Sequence, residues 1–234
     1  MFWKQARAKY AGVTADDPDV RRFMELSNSF QLDVYGGIGG WIQDEGHRWI
    51  AARTGRGLTL EIGFGAGRHN LFFGGDRMNY IASEYSGVHV KTKPWQALRG
   101  RALRCDARAL PFADGSFEQV ISVYNLEHIL DLQAVLREVA RVMRPDGRFL
   151  VALPCEGGLA WNMGRELTTR PLFRRKYGVD YDKVIAFEHV RDFDGVKSEI
   201  RKFGRFRVVE QSFLPFRLPS ADLNLIGCLS LAHA

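Results

Sequence analysis

Glu61-Ile62-Gly63-Phe64-Gly65-Ala66-Gly67 is the stretch of this sequence best suited to hold a ligand. Glycines at alternate positions let a backbone turn tightly and approach a bound molecule with no side chain in the way. The apolar run 58–62 ahead of the turn reads as a buried strand, and 70–73 after it as a short helix. In open α/β sheets the ligand crevice lies beyond the carboxyl ends of the strands, where this turn falls. A dinucleotide site asks for GxGxxG, with the pyrophosphate on the helix N-terminus. Here Gly67 comes one residue early and Arg68 stands where the third glycine belongs, so the spacing disfavours a nicotinamide cofactor.

Two acids fall at the ends of the next strands. Glu84 follows 80–83, where a carboxylate can accept from both hydroxyls of a ribose; a dinucleotide site places an acid similarly, so Glu84 does not discriminate. Asp106 follows 102–105 and is suited to accept from the exocyclic amine of adenine, with Ala107 and Arg108 continuing its loop. Candidates for a general base are His128, Glu188 and His189. His128 sits just beyond the fourth strand, and a purely structural role for Glu127-His128 competes with a catalytic one. His189 precedes a helix that begins at Asp192, with a functional role and a structural one both open. His69 follows the glycine turn and could touch a ligand there, but reads rather as a surface residue at a helix start. Arg165, Arg170 and Arg174 offer either an acidic-group subsite or an exposed basic face. Tyr35, Trp41, Trp161, Phe173, Tyr177 and Tyr181 read as lid or core packing. Cys105, Cys155 and Cys228 are too widely spaced for a CxxC pattern, and no metal ligand is assigned.

The elements that must position these residues alternate. Residues 18–54 read as helical, broken sharply by Gly36-Gly37-Ile38-Gly39-Gly40, with a helix resuming over 41–52. Strands at 58–62, 80–83, 102–105, 119–123 and 148–153 are separated by helical stretches at 88–98 and 132–143, and Pro145-Asp146-Gly147 reads as the turn into the fifth. Such alternation implies a largely parallel sheet with helices on both faces. Residues 155–190 fit the alternation poorly and read as an insertion. A helix over 192–203 and strands at 205–213 and 223–231 complete the chain. The 234 residues are read as one domain: a helical cap over 1–56, a cofactor-binding core over 57–154, a substrate-side insertion over 155–190 and a closing helix with strands over 191–234.

With 46% hydrophobic and 26% charged residues the chain is a folded globular protein rather than a disordered one. The net charge of +6 is spread along the sequence, with no basic run interleaved with aromatics, which points away from a nucleic-acid partner and toward a solvated surface or an acidic small substrate. Charges near the N-terminus where a signal peptide needs an apolar core, no run near the ~20 apolar residues of a membrane span, and the cysteine usage together give a cytoplasmic expectation.

The ordered set LEIGFGAGRH, a strand-end acid, CDA-x3-LPFADGSFEQVIS, NLEHI and RVMRPDGRFLVALP resembles the class I S-adenosylmethionine-dependent methyltransferase superfamily, and most of all its methyltransferase type 11 subgroup. The likeness covers 57–154. It implies a Rossmann-like, seven-stranded, mostly parallel sheet with an antiparallel C-terminal edge hairpin. It implies S-adenosyl-L-methionine as cofactor and S-adenosyl-L-homocysteine as product. Glu61, Gly63, Gly65 and Gly67 would cradle the methionine end, Glu84 the ribose, Asp106 and Ala107 the adenine, with Asn125 near the sulfonium. His128 and His189 would serve the methyl acceptor, a small molecule or acidic metabolite. Phe64 departs from the small or polar residue usual in that family and would alter packing around the methionine end. RNA or protein methylation, or a binding protein without turnover, are the competing readings.

Overall fold

The computed structural model describes residues 3–34, 37–73, 77–87, 93–98 and 100–234. Three helices come first: α1 (Trp3–Lys9), α2 (Pro18–Val34) and α3 (Gly37–Ala51). Short apolar runs then form β1 (Thr59–Ile62), β2 (Tyr80–Glu84), β3 (Ala102–Arg104), β4 (Phe117–Val123) and β5 (Met143–Pro154), with α4 (Lys93–Ala97) and α5 (Leu132–Val142) between them. Helices α6 (Leu159–Leu167), α7 (Thr169–Leu172) and α8 (Tyr181–Glu188) follow, then α9 (Phe193–Phe203), β6 (Phe206–Leu214) and β7 (Ile226–His233).

The seven strands form one sheet in the order β3-β2-β1-β4-β5-β7-β6. The pairs from β3 through β5 are parallel. Strand β7 is antiparallel to both β5 and β6, so β7 alone is reversed. The expected C-terminal hairpin is therefore present, with its second strand inserted between the first and the rest of the sheet. Being central, β7 is buried on both faces over almost its whole length, while the edge strand β6 is largely open to solvent along its middle.

Alternation along the strands sorts the core into two layers. Val120, Phe149 and Val151 join Val135, Leu136 and Val139 of α5 and Val196 and Ile200 of α9 on one face. Ile121, Leu150 and Ala152 join Trp49 and Ile50 of α3 and Trp95 of α4 on the other. Helix α5 buries Leu132, Val135, Leu136, Val139 and Val142, the i, i+3, i+4, i+7 stripe of an amphipathic helix. Asp131 starts it by accepting from Ala134 N at 3.0 Å, and Asp192 starts α9 by accepting from Gly195 N at 2.8 Å. Phe173, Tyr177, Val179 and Val184 make a small separate core around α7 and α8.

Three expectations about elements change. Gly37, Gly39 and Gly40 lie inside α3 rather than breaking it, because packing of the Trp49 and Ile50 face outweighs the low helix propensity of glycine; Tyr35 and Gly36 lie outside the described residues. Helix α4 spans only Lys93–Ala97, and positions 88–92 of the longer expected helix also lie outside the described residues. The turn expected at Pro145-Asp146-Gly147 is absorbed into β5, where the register steps from Phe117↔Met143 to Gln119↔Arg148 and leaves 144–147 as a bulge. Among the described residues no helix is long and apolar enough to cross a membrane.

Candidate active site

The glycine turn leaves β1 and is sewn to the end of β2. Gly63 N and Phe64 N both donate to Ser83 O, at 2.9 and 3.0 Å. Gly65 N donates to one oxygen of Glu84 and Ser86 N to the other, each at 2.8 Å. Trp95 Nε1 donates to Gly65 O at 3.3 Å. Gly63 has φ +74° and no room for a side chain, since a Cβ there would sit 2.2 Å from Asn125 Cγ. Gly65, at φ +51°, has nothing within 4 Å of the place its Cβ would occupy. That open space in front of exposed backbone is a cradle, and any side chain would both strain the turn and fill it. The Phe64 ring is buried in the core, edge-on to Trp95 at 5.9 Å, and its tip lies against Gly67, where a Cβ would meet Phe64 Cζ at 2.6 Å.

Glu61 is buried at the end of β1, and its Oε2 has no hydrogen-bond partner. Burial first, and then the charge of Glu84, push its carboxyl well above the usual range. A carboxyl group held this way favours a cation beside it. Asp106 is differently placed. Arg108 grips both its oxygens through Nε at 3.0 Å and one through Nη2 at 2.6 Å, and Arg108 N adds a bond of 2.9 Å. These bonds hold Asp106 below the ordinary carboxylate value. Ala107 packs half-buried against the core. Asn125 Nδ2 reaches Ile62 O at 3.5 Å and Ser122 Oγ at 3.4 Å, which ties the exit of β4 to the exit of β1.

A second polar cluster lies one turn beyond Asn125. Leu126-Glu127-His128 forms a single helical turn, and Glu127 O receives Val190 N at 2.9 Å and Arg191 N at 3.3 Å from the α8–α9 junction. This brings His128 and His189 together, rings edge-to-face at 4.6 Å. Glu156, just past β5, bonds His189 Nδ1 with one oxygen and Arg165 of α6 with the other. His128 Nδ1 lies 3.0 Å from Glu188 O. Burial opposes the charge of Glu156, but Arg165 and then His189 outweigh it and hold its carboxyl below the usual value. Burial likewise opposes the charge of His189, but Glu156 and the bond to it raise this histidine above its usual value. Burial, opposed only in part by the nearby His189, pushes Glu127 and Glu188 up to about 7 each. Desolvation of the inner face of His128, then the neighbouring His189, lower it; 38% of the side chain still meets solvent, which limits the drop.

The remaining candidates divide. Arg165 and Arg170 are not a free basic face: Arg165 is spent on Glu156, and Arg170 binds Asp182 at 2.9 Å and Glu166 at 2.5 Å, while Arg174 is exposed. Phe173, Tyr177 and Tyr181 pack on one another, and Trp41 is exposed. His69 is a correction. It is buried, not on the surface, with Nδ1 3.3 Å from Nδ1 of His47, because the His47 ring of α3 lies against it. Sequence reasoning passed over His47 and Glu156. Glu156 did carry a signal, as a third acid directly after a strand, while nothing in the spacing singles out His47.

Residues 60–151 match the family model described as Methyltransferase domain. The chain is 30% identical over 162 residues to the O-methyltransferase resE of Aspergillus sclerotiorum, covering 58% of this chain and 61% of that protein. It is 52% identical over 46 residues to demethylmenaquinone methyltransferase of Mycolicibacterium paratuberculosis, covering 20% of each. The chain thus matches between a fifth and three fifths of the length of these curated relatives. In three dimensions it resembles the PH0226 protein of Pyrococcus horikoshii with TM-score 0.62 at 18% identity, over 90% of this chain and 99% of that one, a likeness of fold.

Proposed function

We propose, from the premise that residues 60–151 belong to the class I S-adenosylmethionine-dependent methyltransferase superfamily, that this chain transfers a methyl group from S-adenosylmethionine to an oxygen, nitrogen or carbon atom of a small-molecule or acidic metabolite. The observation that carries the reading is the acid set around the open cradle at Gly65. Glu61 holds a buried carboxylate oxygen with no donor, and Glu84 uses one N–H per oxygen and keeps further lone pairs. This set suits a ligand that is cationic at one end and hydroxyl-bearing in the middle. The cofactor supplies an electrophilic methyl group on a sulfonium when bound.

On this reading Glu61, Gly63, Gly65 and Gly67 hold the amino-acid end, Glu84 the ribose, Asp106 and Ala107 the adenine, and Asn125 the neighbourhood of the sulfur. Arg108 must share Asp106 with the adenine amine. His128 and His189 face the acceptor. Each has Nδ1 turned to an oxygen, which leaves Nε2 out of that contact. In-line displacement asks the protein mainly for alignment and exclusion of water, which a wall fixed by Glu156 and by the α8–α9 backbone is suited to provide. The match to a relative named as an O-methyltransferase favours oxygen as the acceptor atom. Residues 1–56 and 155–190 then cap a single catalytic domain from the acceptor side.

The test is a thermal-midpoint titration of the purified chain with S-adenosylmethionine, S-adenosylhomocysteine and NAD. A ligand at a hundred times its dissociation constant adds about 2.7 kcal/mol to the native state. A rise with both adenosyl ligands and none with NAD, lost in Gly65→Val, supports the reading. A folded wild type that responds to neither adenosyl ligand overturns it.

A further inference from the structure

We propose that Glu127, His128 and His189 form a site for one divalent first-row transition-metal ion, of the zinc, iron(II) or manganese(II) kind, placed to hold an oxygen atom of the methyl acceptor. One ligand atom from each residue lies within 4.8 Å of the other two, a set drawn from the exit of β4 and the end of α8. Each histidine carries the outer partner that metal-binding histidines use. A backbone carbonyl only accepts, so the contact between Glu188 O and His128 Nδ1 puts the ring proton on Nδ1 and leaves the lone pair on Nε2. The carboxylate of Glu156 does the same for His189. Ring orientation and tautomer are thus set for both ligands before any ion arrives.

Glu127 adds an independent observation. Its Oε1 lies 4.0 Å from Nε2 of His128, and its Oε2 is buried with no donor. A buried carboxyl group with one oxygen toward His128 and the other without a donor is poorly satisfied, and a cation between the three groups offsets the cost of its charge. Two imidazoles and one carboxylate suit zinc, iron(II) or manganese(II) better than the all-oxygen shells of calcium or magnesium. Three protein ligands leave positions open for water or substrate. The exposed edge of His128 gives the ion a way in. The other buried histidine pair, His47 and His69, has its Nδ1 atoms turned on each other and no carboxylate bonded to either ring.

Binding of the ion stands on this geometry alone; its use in catalysis rests on the methyl-transfer reading. An ion here draws electron density from an acceptor hydroxyl. The O–H bond breaks and its proton passes to water, the oxygen bonds the methyl carbon, and the sulfur–carbon pair stays with sulfur.

The experiment strips the full chain with a chelator and titrates it separately with zinc(II) and manganese(II), following heat and bound metal per chain. One equivalent is expected, with binding weakened at least ~100-fold in His128→Ala and His189→Ala and about 10–100-fold in Glu156→Gln. Imidazole nitrogen shifts of wild-type protein on adding zinc locate the ion without any substitution: movement of His128 and His189 supports the site. Absence of binding by folded wild type, shifts confined to His47 and His69, or full binding in His128→Ala and His189→Ala overturns it. A chain that binds metal but shows no adenosyl-ligand response keeps the metal site and loses the methyl-transfer reading. The reverse result removes the metal site alone.

Discussion

Among the described residues two histidine pairs stand out, one wholly buried and one partly exposed, and they are built on opposite principles. His47 and His69 face each other at 3.3 Å, and neither Nε2 has a partner. Burial, then His69 and the nearby Arg68 and Arg48, push His47 down to about 2, and burial pushes His69 down to about 4. Phe72 stacks on His47 and Tyr124 meets it edge-on, so the pair is a neutral packing element. At His128 and His189 the same residue type is surrounded by Glu127, Glu156, Glu188 and Arg165, and one ring is held by a fully buried carboxylate. Burial alone makes a histidine inert. Burial together with an oriented acid gives it a fixed tautomer and a use.

The sharpest way to break this contrast is Glu156→Ala. It leaves Arg165 and His189 in the interior without their shared partner. Removing one member of a buried ion pair costs about 3–5 kcal/mol, and we expect a loss of that size in denaturant unfolding at pH 7. A loss below ~1 kcal/mol would mean that the cluster behaves like a surface pair.

Acid comes next. The folded-state values of His47 and His69 lie below the ordinary 6.5, so below that pH the unfolded chain binds protons that the folded chain refuses. Stability from this pair is therefore present above pH 6.5 and is lost as pH falls toward the folded values. Each such group contributes a slope of up to about 1.4 kcal/mol per pH unit. Between pH 6.5 and 5, wild type should lose about 2 kcal/mol more than His69→Leu. Taking the difference between the two proteins cancels the opposing change from the raised carboxyls of Glu61, Glu127 and Glu188. Equal losses in both proteins would show that the pair is hydrated.

The smallest effect is expected at the exposed ion pair. Arg108→Ala should leave the unfolding midpoint close to that of the wild type, as exposed pairs do, in spite of the four hydrogen bonds to Asp106. Because it frees Asp106, affinity for S-adenosylhomocysteine should hold or improve, whereas Asp106→Ala should weaken it. Calorimetric titration of the two variants separates the outcomes, and weaker binding in Arg108→Ala would give that arginine a direct role in the adenine pocket.

What could be read from the sequence follows the range of the forces involved. The glycine turn, the strand-end acid Glu84 and helix α5 are local patterns, and they stand where periodicity and spacing put them. Helix α3 was misjudged because its glycines speak locally for a break while Trp49 and Ile50, packed on the sheet, decide for a helix. The contact of Glu156 with His189 crosses 33 positions and that of His47 with His69 crosses 22. No spacing rule joins residues across such gaps, so His189 was visible as a candidate while the acid that orients it was not. The inward turn of Arg165 was hidden for the same reason: in sequence it sits among arginines that do reach solvent.

One contact reaches further still. Arg7 of α1 donates to Ala186 O at 3.3 Å and to His189 O at 2.8 Å, across 179 and 182 positions. Loop closure of that length is entropically expensive, and contacts of high sequence separation form slowly. The backbone carbonyl of His189 is thus fastened by a residue 182 positions away. During synthesis the glycine turn can be complete while the His128–His189 cluster still waits for its last clasp, so the two regions mature on different clocks.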